Sequence, residues 1–331
     1  LYDTFGFPLD LTQDFLKSKN IVIDIESFNQ AMEAQKEEAR ASWKGSGDTA
    51  TQKIWFELAK KYNPTIFNGY EKNSVKSKIL SILHNSNEVD FLKDHSIEGC
   101  IITENTCFYG ESGGQVGDTG IIKSKNGEFL VTDTKKTPQG IFIHFGKLIS
   151  GSMKVSEDVD LSINEERRSL IMKNHSATHL LHAALRNTLG NHVAQRGSLV
   201  NSEKLRFDFS HNKQISSEDI NKIQDEVNSV IKTTSKSNIE IKSQEDAIKS
   251  GAIALFGEKY GDEVRVVTLG SKNDNPYSIE LCGGTHVTDV TEISKFLIIN
   301  EESVSSGVRR IEALTFNKVD EYLSLKSIEK E

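Results

Sequence analysis

Two short motifs carry the residue types best suited to chemistry: His175-Ser-Ala-Thr-His179 and Cys282-Gly-Gly-Thr-His286. Leu170, Ile171, Leu180, Leu181, Ala184 and Leu185 recur at helical spacing around the first, so it is predicted to lie on an amphipathic helix. Residues four apart share one helix face, so His175 and His179 can offer two imidazoles to one ion. The second motif is predicted to be a loop, with two glycines letting the backbone turn a thiol and an imidazole toward one point. Three histidines and a cysteine suit Zn²⁺, whose protein ligands are mostly imidazole and thiolate in a tetrahedron. His182 falls on the same helix face and competes as a ligand. Cys282 and His286 are preferred, because a three-histidine helix face leaves the Cys-Gly-Gly-Thr-His loop unexplained.

These motifs sit in a chain of 331 residues, long enough for two or three domains with real cores. With 36% hydrophobic and 27% charged residues it is expected to be globular and soluble. No apolar run long enough for a membrane span and no secretory signal is visible, so no membrane partner is expected. Only three cysteines occur, an odd and sparse set that argues against a disulfide framework and for a reducing, cytoplasmic setting. A net charge of −8 argues against wide nonspecific binding to nucleic acid, and no DNA partner is expected. Arg167, Arg168, Lys173, Arg186, Arg196, Arg206, Arg309 and Arg310 lie near the motifs in sequence, and each by itself reads as a solvated surface charge. The chain opens on Leu1 rather than Met, and is expected to be a piece of a longer protein.

The fold class expected is α+β. Residues 1–75 read as a helical segment, with helices over Ile25–Arg40 and Thr51–Tyr62. Residues 76–163 read as a small β-barrel-like subdomain. Short β-branched or aromatic runs at 78–83, 99–103, 120–123, 128–132, 141–145 and 155–163 are separated by turn residues. Within it, Thr106 to Asp118 is rich in glycine, which suggests either a turn or close backbone approach by a ligand or a neighbouring strand. Residues 164–316 read as a zinc-containing core with helices packed on one antiparallel sheet. Its motif helix spans 164–189 and a second helix 216–235, with strands at 191–200, 205–211, 238–242, 263–269, 295–300 and 308–314. Residues 317–331 read as the start of a connecting helix.

Zinc at such a site either holds a fold together or activates a bound water. The zinc-protease pattern needs Glu directly after the first His; Ser176 stands there, so a metalloprotease is disfavoured. The general base is left open between a metal-bound hydroxide, another residue and a substrate hydroxyl.

Beyond the two motifs, several stretches resemble the alanyl-tRNA synthetases, and above all their editing domain. They are Thr106-Cys-Phe-Tyr through Gly113-Gly-Gln-Val-Gly-Asp118, Gln195-Arg-Gly-Ser198, Leu205-Arg-Phe-Asp-Phe209, Ala254-Leu-Phe-Gly-Glu-Lys-Tyr260 and Gly307-Val-Arg-Arg-Ile-Glu-Ala313. The opening Leu1-Tyr-Asp-Thr-Phe-Gly-Phe-Pro8 is similar to the end of that family's helical tRNA-recognition domain. The resemblance implies hydrolysis of the ester of seryl- or glycyl-tRNA(Ala) made in error, with tRNA(Ala) as partner and Zn²⁺ as cofactor. It implies His175, His179, Cys282 and His286 as metal ligands. It also implies Gln195 positioning the ester and Thr106 contacting the hydroxyl of misattached serine. A second site of this kind is needed where a synthetic site cannot exclude small misfits. The ATP-dependent step is expected before Leu1 and a further domain after Glu331. The competing reading is a tRNA-binding module in which zinc only stabilises the fold.

Overall fold

The computed structural model describes Ser27 and residues 48–93, 98–233, 235–253, 263–272 and 275–328. The chain divides into two compact units, Leu1–Phe56 and Glu57–Glu331. Of the first, only Ser27 and the start of helix α1 (Asp48–Lys61) are described. Apart from Ser27, the helix expected over Ile25–Arg40 falls outside the described residues, as does the Ala254–Tyr260 motif. Among the described residues no helix is long and apolar enough to cross a membrane.

Six strands of the second unit close into an antiparallel barrel: β1 (Ser74–His84), β2 (Glu98–Thr103), β3 (Gly120–Lys123), β4 (Gly127–Lys136), β5 (Phe142–Gly151) and β6 (Asp158–Ile163). Hydrogen bonding runs β1-β2-β5-β4-β3-β6, and β6 pairs back onto β1, with Leu161 opposite Val75. Period-two patterning drives this arrangement. In β6, Val159, Leu161 and Ile163 point inward while Asp158, Asp160 and Ser162 point to solvent. Ile79, Ile82, Ile101, Phe108, Ile122, Phe129, Val131 and Leu148 fill the interior. Closure leaves these six strands with no unpaired edge, as in a barrel.

Asn164 alone separates β6 from α2 (Glu165–Leu189). Its side-chain oxygen accepts from the Arg167 N–H at 2.9 Å, an N-cap followed by Glu165 and Glu166 in the first turn, where carboxylates oppose the positive helix end. Of the residues that set the periodicity, Ile171, Leu180, Leu181, Ala184 and Leu185 are fully buried and Leu170 is half-buried. The polar face that carries the candidate ligands is buried too: Asn174, His175, Ser176, Thr178, His179 and His182 are at most 5% exposed. The sequence pattern reports polarity, and here polarity marks a buried site rather than a surface.

Around α2 lie α3 (Ser217–Ile231), β7 (Gln195–Val200), β8 (Leu205–Ser210), β9 (Asn238–Ser243), short α4 (Gln244–Lys249), β10 (Glu263–Lys272), β11 (Asn275–Leu281), β12 (Phe296–Ser305) and β13 (Val308–Thr315). The single sheet expected is in fact two: a four-stranded sheet β7-β8-β13-β12 and a three-stranded sheet β9-β10-β11, with α2 in contact with both. Leu205, Phe207 and Phe209 from one side, Val267 and Leu269 from the other, and Ile223, Val227 and Val230 of α3 enclose it in one core. Strand β11 was hidden by Asn275-Pro276, which reads as a turn; proline is tolerated here because it sits at the start of the strand. Helix α5 (Asn317–Ile328) follows β13 after Phe316.

Two of the basic residues read as surface charges are buried. Arg168 is 4% exposed; its guanidinium pairs with Asp118 and also donates to the carbonyls of Gly69 (2.8 Å) and Cys107 (3.0 Å). Lys173 is 8% exposed, with its ammonium 4.8 Å from the Phe316 ring. Arg168 and Asp118 clamp the start of α2 onto the barrel, where a charge needs such a partner to be buried at all.

Candidate metal centre and cleft

Helix α2 and the loop after β11 bring His175, His179, Cys282 and His286 together, with one ligand atom of each lying within 4.8 Å of the others. His175 Nε2 is 3.5 Å and His286 Nε2 3.4 Å from Cys282 Sγ. A tetrahedron with metal bonds of about 2.0–2.3 Å has edges of about 3.3–3.8 Å, so this spacing fits a small dication. The far sides of the rings are already engaged. His175 Nδ1 meets Gln115 Oε1 at 2.7 Å, His179 Nδ1 meets Glu280 Oε2 at 2.9 Å, and His286 Nδ1 meets Ser176 Oγ at 3.2 Å. With Nδ1 occupied, each ring has Nε2 left for a ligand. The buried His179 Nε2 has no hydrogen-bond partner, the kind of orphan that an ion would satisfy.

The electrostatics point the same way. Burial pushes the Cys282 thiol up, but the imidazoles of His175, His179 and His286 outweigh it and hold the group well below its ordinary value, as a thiolate. Burial pushes Glu280 up as well, and His179 and His182 more than reverse that. His179 sits between these two anions. Burial lowers its pKa, but Glu280 and Cys282 raise it more, to about 10. Burial takes His286 down to about 3. The Cys282 thiolate and the Glu280 carboxylate outnumber the one His179 cation between them, leaving an anionic pocket matched to a dication, which would take the place of the His179 proton.

His182 does not join the group. Its Nδ1 faces the other Glu280 oxygen at 3.0 Å, so one carboxylate orients two helix histidines and only His179 turns its Nε2 toward Cys282. The loop is fixed from outside: Arg265 donates to the carbonyls of Cys282 and Gly284 at 2.8 Å, and Tyr70 Oη donates to that of Gly283 at 2.6 Å. The two glycines differ. A Cβ on Gly284 would lie 2.0 Å from His175 Cε1, whereas one on Gly283 would meet nothing nearer than Tyr70 Oη at 4.0 Å.

A cleft of about 110 Å³ opens over His175, His179 and Cys282, walled by Tyr109, Thr178, Gln195 and Ser198. Gln195, the first residue of β7, therefore stands beside the metal group. Thr106 does not. It is fully buried in the barrel, its hydroxyl engaged with His144 Nε2 at 2.8 Å and accepting from the Phe108 N–H at 3.0 Å. Thr106 is thus not among the residues that line the cleft. Among the hydroxyl-bearing residues that line the cleft is Thr178, inside the first motif and one helix turn after Asn174, whose carbonyl its hydroxyl bonds at 2.8 Å. Sequence reasoning passed over it as spacing between two histidines. The glycine-rich stretch is approached by a neighbouring strand: Gly114, with φ of +85°, lies against Ser198, and its carbonyl accepts from the Val200 N–H at 2.7 Å.

Comparison with known proteins bears on the family of this chain. Residues 1–167 match the family model "tRNA synthetases class II (A)", and residues 264–312 match "Threonyl and Alanyl tRNA synthetase second additional domain". An alanine–tRNA ligase of Parvibaculum lavamentivorans is 48% identical over 327 residues, covering 98% of this chain and 36% of the relative. That of Rhizobium meliloti is 48% identical over 329 residues, covering 98% and 37%. The chain thus spans a little over a third of the length of these relatives. By the family match, by near-complete coverage of the chain and by the cysteine-histidine loop inside the matched second domain, the chain belongs to the alanyl-tRNA synthetase family.

Proposed function

We propose that this chain carries the proofreading activity of its family: hydrolysis of the aminoacyl ester of seryl- or glycyl-tRNA(Ala), with zinc held by His175, His179, Cys282 and His286. The observation that carries the reading is the small cleft over the ligand cluster, with uncharged polar groups on its walls. A bound zinc ion would supply Lewis-acid polarisation of the ester carbonyl. The chain's own residues do the rest. The Gln195 carboxamide holds the ester by hydrogen bonding. Thr178 Oγ, its proton spent on the Asn174 carbonyl, accepts from the serine hydroxyl. Alanine has no such hydroxyl, and a site built to hydrogen-bond a group discriminates strongly against an analogue lacking it. The cleft is too small for a large side chain. In the whole protein this activity would accompany ATP-dependent attachment of alanine to tRNA(Ala). The second reading, a tRNA-binding module with a structural metal, is favoured by the number of candidate protein ligands, since four would complete the shell of a structural zinc.

Hydrolysis of seryl- and alanyl-tRNA(Ala) by this chain, with zinc content measured alongside, separates the two. Loss of the seryl ester alone, abolished in Cys282→Ala, is the expected result. A folded, zinc-loaded chain that leaves both esters intact would favour the binding module.

A further inference from the structure

The cleft and its ligands do not account for Gln115. This residue comes from the glycine-rich turn of the barrel between β2 and β3, is fully buried, and reaches across to the metal group. Its carboxamide makes three contacts. Oε1 accepts from the Thr285 backbone N–H at 2.9 Å and lies 2.7 Å from His175 Nδ1, and Nε2 donates to Thr285 Oγ1 at 2.9 Å. One side chain thus touches both segments that supply the ligands: helix α2 through His175, and the Cys-Gly-Gly-Thr-His loop through Thr285.

Proton positions in this network follow by elimination. A backbone N–H can only donate, so the amide oxygen, and not the amide nitrogen, must face Thr285 N. That oxygen can only accept, so His175 Nδ1 must carry the hydrogen. An imidazole protonated at Nδ1 keeps its lone pair at Nε2, the nitrogen 3.5 Å from Cys282 Sγ. The backbone around Gln115 is pinned as well. Its N–H donates to Ser112 O at 3.0 Å, and the next N–H, of Val116, donates to Val200 O at 3.1 Å on β7. Gly284 then leaves room for nothing but a hydrogen beside the ring and the amide, since a Cβ there would also lie 2.9 Å from Gln115 Oε1.

We propose that Gln115 is a positioning residue of the metal centre: it fixes the His175 tautomer and the register of the cysteine-histidine loop, so that the barrel is part of the metal site. This rests on the metal reading above. The partner that orients a ligating histidine typically contributes about 10–100-fold to metal affinity.

The test is zinc affinity by chelator competition, with the visible spectrum of the cobalt(II) form as a report on ligand geometry, for the unaltered chain, Gln115→Ala and Gln115→Glu. Gln115→Ala is expected to bind zinc about 10–100-fold more weakly and to shift the cobalt bands. Gln115→Glu keeps an oxygen that accepts from both N–H groups and lets Thr285 Oγ1 turn to donate, so it should restore affinity and spectrum. Loss of mere packing would not be rescued in this way. Zinc binding by Gln115→Ala within about twofold of the unaltered chain, with the same cobalt spectrum, overturns the role. So does Gln115→Glu binding no better than Gln115→Ala; this still decides the matter if the alanine variant misfolds, since Gln115→Glu must then match the unaltered chain. Failure of the unaltered chain to bind zinc would instead overturn the metal reading itself, and this role with it.

Discussion

His144 and the group of His175, His179 and His286 are equally deep in the molecule and do opposite things with their nitrogens. In the barrel, His144 Nδ1 donates to the Ile101 carbonyl at 2.9 Å and Nε2 accepts from the Thr106 hydroxyl at 2.8 Å, so both nitrogens are spent on neutral partners. In the core, each ring spends Nδ1 and aims Nε2 at, or close to, a thiolate. Burial and a full set of neighbours are therefore not marks of a site. Convergence of unspent lone pairs is. The same contrast separates the two threonines: the hydroxyl of Thr106 is buried inside the barrel, and Thr178 borders the cleft.

The comparison can be tested hardest at His144. Burial takes it down to about 4, against an ordinary value near 6.5. Between those values the unfolded chain takes up a proton that the folded chain refuses. Stability therefore falls as pH drops from about 6.5 to about 4, by about 3 kcal/mol in all, and is unaffected by this group above that window. Urea unfolding in the presence of a chelator, at pH 4.5 and 6.5, should show a clearly shallower loss for His144→Gln. Equal losses would mean that His144 titrates freely.

Next in size is the pair of loop glycines. A methyl on Gly284 must displace the His175 ring, and metal sites tolerate only about 0.2 Å in ligand distance, so Gly284→Ala should weaken zinc binding by about 100-fold or more. Gly283→Ala, with space around its Cβ, should bind as before. Similar affinities in the two variants would deny that close packing at Gly284 shapes the cluster.

The smallest effect separates the threonines. Thr106→Val leaves His144 Nε2 and the Phe108 N–H without a partner, at a cost of about 1–3 kcal/mol in unfolding free energy, but should leave the preference for seryl over alanyl ester unchanged. Thr178→Val should erode that preference. If Thr106→Val alone erodes it, the assignment of the two hydroxyls is reversed.

Much of this arrangement is legible in the chain, and the illegible part has a common cause. Six short strands ahead of the motif helix stand out because alternation such as Val159-Asp160-Leu161 is local. The histidine and cysteine spacings stand out because four residues on a helix, or across two glycines, already define a direction. Gln115 and Glu280 do not stand out. Each meets its histidine across 60 and 101 residues of chain, and nothing beside either residue in sequence announces the partner. Lys173 and Arg168 read as surface because a charge looks the same in sequence whether water or Asp118 satisfies it. Polarity on the second face of α2 was visible; that a sheet and a barrel turn cover it follows only from the assembled fold.

The single residue between β6 and α2 constrains how this chain can change in length. Asn164 ends the strand side by donating its N–H to Thr119 O at 2.7 Å and starts the helix side by capping it. Inserting or deleting one residue there would turn the helix by about 100° about its own axis, carrying His175 and His179 away from Cys282 and Arg168 away from Asp118 together. The Ser124–Gly127 turn, by contrast, joins two strands of the barrel and bears no such load. Insertions among relatives should therefore accumulate at turns like that one and leave the strand-to-helix joint at one residue.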